Sequence, residues 1–382
     1  MTQTLALVAL SARMLAESAR RGGFECVALD LFGDRDTRRA AQAWSRVGAP
    51  DALRLDTAAT IAALRPLRHC AGWIAGGGTD GVLDELEANA RPLPLIGNRP
   101  DVVRALRTPR SFFGALAALG IPHPETAFER PDDTRRWLSK DLHGSGGSHI
   151  RVASARAPAP ALEPGRYFQR CSTGTPMSAL FVANGRDARI VGFNELIVER
   201  LGMLPFVYRG AIGPVMPPVR ARLELTQSVH ELVRHFELVG LNSVDCLLDG
   251  DAVRILEVNP RPSASMALYD DRWPGGLVAA HIAASLHRSI GPLLAGAASG
   301  DRVRGCLVVH AGQALRCCNA AGERMLASGW AHDVPNEDAA IAPGAPVCTV
   351  SATARTVSGV RAALAIRAEE VLRGLAAQPC TP

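Results

Sequence analysis

Three side chains that suit a hard metal ion lie close together in one short stretch of the sequence. Asp245 precedes the turn Asp249-Gly250-Asp251, and Glu257 and Asn259 follow it. An Asp-Gly turn between two apolar runs is typical of a β-hairpin, and residues two apart on a strand share one face. The spacing therefore predicts a hairpin that presents two carboxylates and an amide oxygen together. Such ligands suit Mg²⁺, which keeps further positions for water and phosphate.

Arg261 continues the same alternation two residues beyond Asn259. A guanidinium at that point would stabilise negative charge that develops on a transferred phosphoryl or acyl oxygen. The alternative is a solvated hairpin edge in which Glu257 forms a salt bridge with Arg261. The metal-binding interpretation is favoured, because the sequence Glu-Val-Asn-Pro-Arg is too polar for a strand of the core.

Lys140 is the only lysine among the 42 Lys and Arg residues of the chain. Arginine replaces lysine in most surface roles, but its planar guanidinium is a poor substitute where a compact ammonium contacts phosphate oxygens. Small residues follow Lys140 almost directly: Gly144, Ser145, Gly146, Gly147 and Ser148. The backbone N–H groups of such a loop can close over a phosphate chain, so the segment predicts a phosphate site. The alternative is a mobile glycine loop beside a surface lysine.

The lysine count also excludes several kinds of site. Biotin attachment, a pyridoxal phosphate Schiff base and a Walker A motif would all need Lys140, which lies in no suitable segment. The first turn of the chain, over 9–13, lacks the Gly-x-Gly-x-x-Gly of a dinucleotide site. The nine cysteines form no Cys-x-x-Cys pair, which argues against a disulfide framework or a zinc site.

Composition and charge set further limits on function. A chain of 382 residues with 47% hydrophobic content is expected to fold into two or three domains. Its net charge of +5, without a long basic run, predicts no nucleic-acid partner and no membrane-surface partner. The N-terminal apolar stretch has no basic lead-in and is interrupted by Arg13, so a soluble, cytoplasmic protein is expected.

The elements that would hold these residues follow from apolar periodicity. An alternation of strands and helices in the first hundred residues predicts a parallel βαβ sheet, with the glycines Gly76, Gly77 and Gly78 after one strand. An Ala- and Pro-rich surface loop is predicted over 151–166. Strands are predicted over 5–10, 24–29, 71–75, 94–96, 167–184, 189–198, 241–258, 303–309 and 347–350, and helices over 12–21, 61–67, 82–89, 100–120, 219–239 and 358–375.

The order of these features resembles the ATP-grasp ligases: a βαβ domain, a strand-borne lysine, a Gly-rich loop, and a strand pair with an acid and Glu-x-Asn-Pro-Arg. The resemblance covers roughly residues 5–280. It implies a mixed α/β and α+β protein with an N-terminal βαβ pre-ATP-grasp domain over 1–98. A two-lobed ATP-grasp domain over 99–290 and a small C-terminal α+β domain over 291–382 would follow.

The resemblance implies a chemistry and a role for each residue. A member of this family would use ATP and Mg²⁺, or Mn²⁺, to phosphorylate a small-molecule carboxylate, and an amine would attack the acyl phosphate with release of ADP. Lys140 and Arg261 would act near the reacting phosphate. The metal ligands would be Asp245, Glu257 and Asn259, and the ATP-binding residues would be Arg107, Lys140, the loop Gly144 to Ser148, and a hinge for adenine made of Gln169, Arg170 and Cys171.

Three positions depart from the family pattern. Arg107 stands where the family usually has an earlier ATP-binding lysine, and a long cation there is expected to take over the phosphate charge. Arg170 stands where an acidic residue is common, and aspartate is a less frequent choice than others at Asp245 in some branches.

The tail from Asp333 to the last helix resembles the C-terminal domain of biotin-carboxylase-like members. With the sequence after Asn259, it resembles a branch described as carboligases, found in organisms that use methanopterin and methanofuran-type one-carbon carriers. This implies amide-bond formation in the biosynthesis of such a cofactor, and a homodimer is expected. Two alternatives stay open: a carboxylase that activates bicarbonate, and a regulatory protein that binds ATP without turnover.

The sequence leaves the substrate-binding residues open. Candidates near the proposed centre, each with a purely structural alternative, are Asn194, Glu195, Tyr208, Arg209, Gly210, Ser263 and Ser265.

Overall fold

A computed structural model describes residues 2–133, 135–142, 144, 146–153, 165–291 and 302–377. The predicted loop residue Ser145, most of the predicted surface loop over 151–166, and residues 292–301 lie outside the described residues. The domain boundary predicted between 290 and 291 therefore adjoins an undescribed segment. It stays a prediction.

The N-terminal region forms the predicted parallel sheet with helices, in the strand order β3-β2-β1-β6-β7. Strand β1 is buried along nearly its whole length, as expected for a central strand covered on both faces. The elements are β1 (Thr4–Val8), α1 (Arg13–Arg21), β2 (Glu25–Asp30), α2 (Arg35–Ala40), β3 (Ala43–Arg46), β4 (Gly48–Ala49), β5 (Arg54–Leu55), α3 (Thr57–Leu64), β6 (Gly72–Ala75), α4 (Leu83–Ala90) and β7 (Leu95–Ile96).

The single helix predicted over 100–120 is wrong, because the structure has two helices, α5 (Pro100–Arg107) and α6 (Pro109–Ala118). Thr108 between them has an extended backbone. A residue that precedes proline avoids the helical conformation, so Pro109 ends one helix and begins the next. The break places Arg107 at the end of α5.

A small antiparallel sheet, in the order β10-β9-β11-β8, carries Lys140. Lys140 pairs with Ile150 on one side and Tyr167 on the other, so the predicted hairpin around the Gly-rich loop is confirmed. The predicted strand over 167–184 is instead two strands, since the chain turns between 171 and 174. The elements are β8 (Thr126–Ala127), β9 (Trp137–Asp141), β10 (Ile150–Val152) and β11 (Arg166–Arg170).

A larger antiparallel sheet, in the order β16-β15-β12-β13-β14-β17-β21-β19, holds the predicted metal hairpin β15–β16 at one edge. Helix α7 packs against it through residues spaced three or four apart. It ends at Phe236 rather than at 239, because Glu237 has a left-handed backbone. The elements are β12 (Thr175–Asn184), β13 (Ala188–Leu201), β14 (Leu204–Gly213), α7 (Val219–Phe236), β15 (Val239–Asp249), β16 (Ala252–Asn259) and α8 (Gly276–His287), with 3-10 turns at Ala264–Leu268 and Asp270–Arg272.

The C-terminal region extends this same sheet, since Gly210 of β14 pairs with Leu307 of β17. Its long helix α10 covers β17 and β21. Within the described ranges, no helix combines the length and the apolar character needed to cross a lipid bilayer. The elements are β17 (Val303–His310), β18 (Leu315–Cys317), α9 (Asn319–Ser328), β19 (Ala331–His332), β20 (Ala339–Ile341), β21 (Pro346–Ala354) and α10 (Val357–Ala376).

Candidate active site

The predicted metal ligands meet on the hairpin β15–β16. Asp245 pairs directly with Glu257, and Asn259 pairs with Ser243 at the next position on the same face. The amide nitrogen of Asn259 donates to Asp245 Oδ2 at 3.2 Å. The amide therefore turns its nitrogen toward Asp245 and leaves Oδ1 as an oxygen donor beside the two carboxylates.

The carboxyl group of Asp245 lies in an unusual electrostatic environment. Burial and the negative charge of Glu257 raise the pKa of Asp245 to about 7, and hydrogen bonds from Ser178 and Asn259 act in the opposite direction. Ser178 lies across from Asp245 on the neighbouring strand β12. Two neighbouring carboxylates that repel each other form an arrangement that a divalent cation would stabilise.

Arg261 does not form the salt bridge with Glu257 that the alternative interpretation expected. Its Nε lies 3.1 Å from Oδ1 and 3.2 Å from Oδ2 of Asp80, a residue of the loop after β6. One guanidinium nitrogen also lies 3.4 Å from Asn259 Oδ1. The guanidinium is thus fixed beside the predicted metal ligands by a carboxylate from the N-terminal sheet.

Lys140 is buried, with 8% of its surface exposed. Its Nζ donates to Gln169 Oε1 at 2.6 Å, so its direct partner is neutral. Burial lowers the pKa of Lys140, while the charge of Glu257 on the opposing hairpin acts to raise it. The ammonium of Lys140 and the carboxylate of Glu257 therefore interact electrostatically across the space between the two sheets.

Arg107 at the end of α5 connects the Gly-rich loop with the hairpin. One of its nitrogens donates to the Gly144 carbonyl oxygen at 2.6 Å, and another lies 4.0 Å from Glu257 Oε2. This is the position at which the sequence predicts a cation in place of a lysine.

A cavity of about 800 Å³ lies between the three sheets and connects these groups. Lys140 and the hinge residues line one wall, the hairpin and Arg261 line a second, and loops of the N-terminal sheet line a third. Most of the polar residues predicted to act on a nucleotide line this cavity, among them Lys140, Gln169, Asp245, Glu257, Asn259 and Arg261. The volume falls within the range of sites for nucleotide-sized ligands.

Comparisons with known proteins agree with this arrangement. The family model described as "ATP-grasp domain" matches residues 110–265, which include Lys140, the hairpin and Arg261. The chain contains an ATP-grasp domain. The resemblance predicted from the sequence is confirmed at this level.

Solved structures share the fold across nearly the whole chain. A carboxyaminoimidazole ribonucleotide synthase from Aspergillus clavatus, solved with ATP, superposes with a TM-score of 0.71 at 15% identity over 98% of this chain and 99% of that one. A biotin carboxylase from Campylobacter jejuni gives 0.69 at 12% identity, over 95% and 90%.

An uncharacterized protein of Methanocaldococcus jannaschii is 21% identical over 68% of this chain. The matched part makes up 63% of that relative. These identities are low, so they establish a shared fold and no specific activity.

The Gly-rich loop contacts strand β14 of the larger antiparallel sheet. Gly146 accepts a hydrogen bond of 2.9 Å from the backbone N–H of Tyr208 on β14. Gly147 has a positive φ of 78°, and a Cβ at this position would lie 1.6 Å from the Phe206 carbonyl oxygen. Only glycine fits this approach, which gives a physical reason for the composition of the loop.

The predicted adenine hinge is partly occupied by the protein's own hydrogen bonds. The N–H of Arg170 donates to the Glu125 carbonyl, and the N–H of Cys171 donates to the Arg136 carbonyl. A role for Gln169, Arg170 and Cys171 in binding adenine stays a prediction, and for Arg170 and Cys171 it would rest on carbonyl oxygens or side chains. The next residue, Ser172, also lines the cavity, and its N–H has no hydrogen-bond acceptor among the described residues.

The substrate candidates separate into two groups. Tyr208, Gly210, Ser263 and Ser265 line the cavity. Arg209 is not among the residues that line the cavity, and its guanidinium donates to Glu199 at 3.1 Å and to the Val308 carbonyl oxygen. Asn194 and Glu195 face structural partners, with Asn194 accepting from the Tyr269 hydroxyl and Glu195 paired with Arg361.

Sequence reasoning missed three residues of this region: Asp80, Ser172 and Ser178. Asp80 and Ser178 reach the site through contacts between segments far apart in the chain, which no local pattern records. Ser172 directly follows the predicted hinge, so the sequence indicated this segment but not that the N–H of Ser172 would be available to a ligand. The glycines Gly76, Gly77 and Gly78 line the cavity beside Arg261, at the carboxyl edge of the parallel sheet.

Proposed function

We propose that the protein is an ATP-dependent, ADP-forming ligase that joins a small-molecule carboxylate to an amine. The observation that carries the proposal is that Asp245, Glu257 and Asn259 share one cavity with Lys140, the chain's single lysine. Anionic oxygen donors on one wall and a buried cation on another fit a nucleotide whose phosphates carry a divalent cation. The ATP-bound Aspergillus clavatus synthase with the same fold supports ATP as that nucleotide.

The residues present fit a Mg²⁺ or Mn²⁺ ion. The raised pKa of Asp245 has its cause in burial and in Glu257, and a divalent cation would remove that repulsion. Asp245, Glu257 and Asn259 would hold the ion through oxygen atoms. When bound, the ion would supply positive charge to the phosphate oxygens of ATP.

The remaining steps depend on the chain's own side chains. Lys140 would donate to phosphate oxygens, and Arg261, held by Asp80, would stabilise charge on the phosphoryl group in transfer. The γ-phosphoryl group would pass to a carboxylate oxygen of the acid and ADP would leave. The amine nitrogen would then attack the acyl carbon, with loss of a proton and of inorganic phosphate. Positioning in a closed cavity would supply much of the acceleration.

The experiment is a screen of acid and amine pairs with ADP release as the readout. We expect release that needs ATP, a divalent cation, an acid and an amine, and that falls at least a hundredfold in Glu257→Gln and in Lys140→Ala. The exposed residue Glu370 on α10 offers the matched control Glu370→Gln, expected to behave as wild type. Wild-type turnover in either site variant would overturn the assignment.

The resemblance to the carboligase branch suggests where the screen should begin. We propose that the acid and amine are precursors of a one-carbon carrier cofactor. Loss of that cofactor in a deletion strain, and its return on complementation, would support this narrower role. A homodimer likewise stays a prediction, which light scattering on the purified chain would test.

A carboxylase that activates bicarbonate is the second candidate. It is favoured by the fold similarity to the Campylobacter jejuni biotin carboxylase. ADP release that depends on added bicarbonate in degassed buffer, and that needs no other acid, would select it over the ligase. ATP binding without ADP release under any substrate mixture would instead favour a regulatory protein. That alternative is suggested by Arg107, which stands where the family usually has a lysine.

A further inference from the structure

The cavity has a second, acid-rich end at the carboxyl edge of the N-terminal parallel sheet. The segment after β1 contributes Ser11 and Arg13, and the segment after β2 contributes Asp34. From the other side, His332 and Asp333 at the end of β19 close this region. Ligands of open α/β sheets bind at this edge.

Most of the acids in this region already have partners. Arg13 donates to Asp333 Oδ1 at 2.9 Å and to Glu17 Oε2 at 2.8 Å, and its Nε lies 3.6 Å from Asp36 Oδ2. Asp36 also accepts the backbone N–H of Asp333 at 2.7 Å and that of Val334 at 3.2 Å. One guanidinium is therefore shared among three carboxylates.

Asp34 is the exception. Its residue is 6% exposed and lines the cavity, and no hydrogen bond or salt bridge to its carboxylate is recorded among the described residues. By contrast, the lining acid Asp270 is paired with Arg21 at 2.9 Å. Burying a carboxylate without a partner is unfavourable, and folded proteins usually avoid it. Burial, with the charges of Asp333, Asp36 and Asp30, holds the pKa of Asp34 well above its usual range, although the charge of Arg13 acts in the opposite direction.

We propose that Asp34 binds a cationic nitrogen of the amine substrate, an ammonium or guanidinium group. The proposal rests on the proposed function, because it places the amine in the cavity that holds the nucleotide site. Lys140 and Asp34 then have matching roles at the two ends. Lys140, a buried cation, would bind the phosphates of the nucleotide. Asp34, a buried carboxylate, would bind the cationic nitrogen of the amine.

A metal ion is the competing occupant of this region. Ligand atoms of Glu17, Asp36 and His332 lie within 4.8 Å of one another. However, the Arg13 guanidinium contacts both of these carboxylates, and His332 Nε2 lies 2.9 Å from Ser351 Oγ. A cation already occupies the centre of that cluster, so the observations favour an organic cation at Asp34.

The test measures binding without turnover. The probes are 1,4-diaminobutane, butylamine and the neutral analogue 1,4-butanediol, each titrated against the full chain by saturation-transfer NMR and by thermal shift, with and without MgATP. The variants are Asp34→Asn and, as a matched control for net charge, Asp51→Asn at an exposed turn residue. MgATP affinity is measured separately for each protein.

We expect both amines, but not the diol, to bind wild type and Asp51→Asn, and to bind Asp34→Asn at least tenfold more weakly. MgATP should bind all three proteins equally. Without ligand, the melting temperature of Asp34→Asn should equal or exceed that of wild type, because a buried carboxyl group next to other acids has been replaced by a neutral amide. A carboxylate with a structural role would give the opposite shift.

Equal amine binding by Asp34→Asn and wild type would overturn the proposal. Stabilisation by Zn²⁺ alone that Asp34→Asn abolishes would also overturn it, in favour of a metal site. If amines bind through Asp34 but no acid and amine pair releases ADP, the ligase assignment fails while the cation site stands.

Discussion

Asp80 and Arg261 form a largely buried salt bridge between the N-terminal sheet and the ATP-grasp hairpin, with 9% and 12% of their side chains exposed. Both carboxylate oxygens of Asp80 face the Arg261 Nε, and the guanidinium also reaches Asn259. The pair fixes a cation beside the predicted metal ligands. Asp80 is therefore a positioning residue, acting through Arg261.

Substituting Asp80→Asn should separate positioning from binding. The amide retains a hydrogen bond but removes the charge that orients Arg261, so we expect kcat for ADP release to fall about tenfold, with KM for ATP nearly unchanged. Removing one partner of a buried pair should also lower the free energy of unfolding by about 2 kcal/mol. Steady-state kinetics and urea unfolding measure the two effects.

Asp84→Asn is the matched control on α4. Asp84 pairs with Arg104, but the two side chains are 57% and 60% exposed. An exposed pair contributes less than about 1 kcal/mol, so stability and kcat should stay near wild type. A KM increase in Asp80→Asn without a change in kcat would contradict the positioning role.

Lys140→Met tests whether the lone lysine is present for its charge. Methionine matches the length of the apolar stem, and among the described residues the direct hydrogen-bond partner of the buried ammonium is the neutral Gln169. We expect the free energy of unfolding to stay within about 1 kcal/mol of wild type, while the Kd for MgATP rises at least tenfold. Isothermal titration calorimetry and urea unfolding provide the measurements, with Arg324→Met at an exposed position as the control.

Unchanged nucleotide affinity in Lys140→Met, together with a large loss of stability, would show that Lys140 is structural. That result would also remove the strongest support for a phosphate site on this wall.

Gly147→Ala should separate the Gly-rich loop from strand β14. A methyl group at this position would collide with the Phe206 carbonyl oxygen, so the hydrogen bond from Tyr208 to Gly146 should be lost. We expect faster amide exchange in the peptide that contains Tyr208, and MgATP affinity about tenfold lower.

Gly146→Ala controls for backbone strain in the same loop. Gly146 also has a positive φ, 62°, but a Cβ there would meet nothing within 4 Å. Alanine pays only the left-handed backbone cost of about 1–2 kcal/mol, so Tyr208 should stay protected. Equal exchange in both variants would mean that the loop's contact with β14 does not depend on Gly147.

The parts of the site that local patterns determine could be predicted from the sequence. The alternation in Glu257, Asn259 and Arg261 follows from the two-residue period of a strand, and Lys140 stood out by composition alone. Strand β14 was not predicted, because Arg209 and Gly210 interrupt its apolar alternation. The break at Pro109 was signalled by a local rule that the helical periodicity around it obscured.

The contributions of the N-terminal sheet could not be predicted in this way. Asp80 and Asp34 follow different strands of a parallel sheet. Only tertiary packing brings Asp80 to Arg261 and Asp34 to the cavity wall. The role of Asp80 depends on its contact with Arg261, and that of Asp34 on the lack of a cationic partner among the described residues. No spacing in the sequence records that information.

The buried, neutral ring of His281 leads to a prediction of how the stability of the protein changes with pH. It joins β7 to β15, because its Nε2 lies 2.9 Å from the Ile96 carbonyl oxygen and its Nδ1 accepts the N–H of Leu241 at 2.9 Å. This pattern needs a neutral ring with the proton on Nε2. Burial lowers the pKa of His281 to about 4, and the hydrogen bond to Ile96 acts weakly in the opposite direction.

The sign of the effect follows from comparing the folded and unfolded chains. An unfolded histidine takes up a proton near pH 6.5 and the folded one only near pH 4, so the stabilising contribution is complete above about pH 6.5 and is lost as the pH falls toward 4. The slope should approach about 1.4 kcal/mol per pH unit. Urea unfolding between pH 4 and 8 should show this loss in wild type and in His287→Gln, an exposed control on the same helix, but a smaller one in His281→Gln. Parallel profiles in all three proteins would assign the acid sensitivity to other groups, of which His332 is a candidate because burial lowers its pKa to about 4.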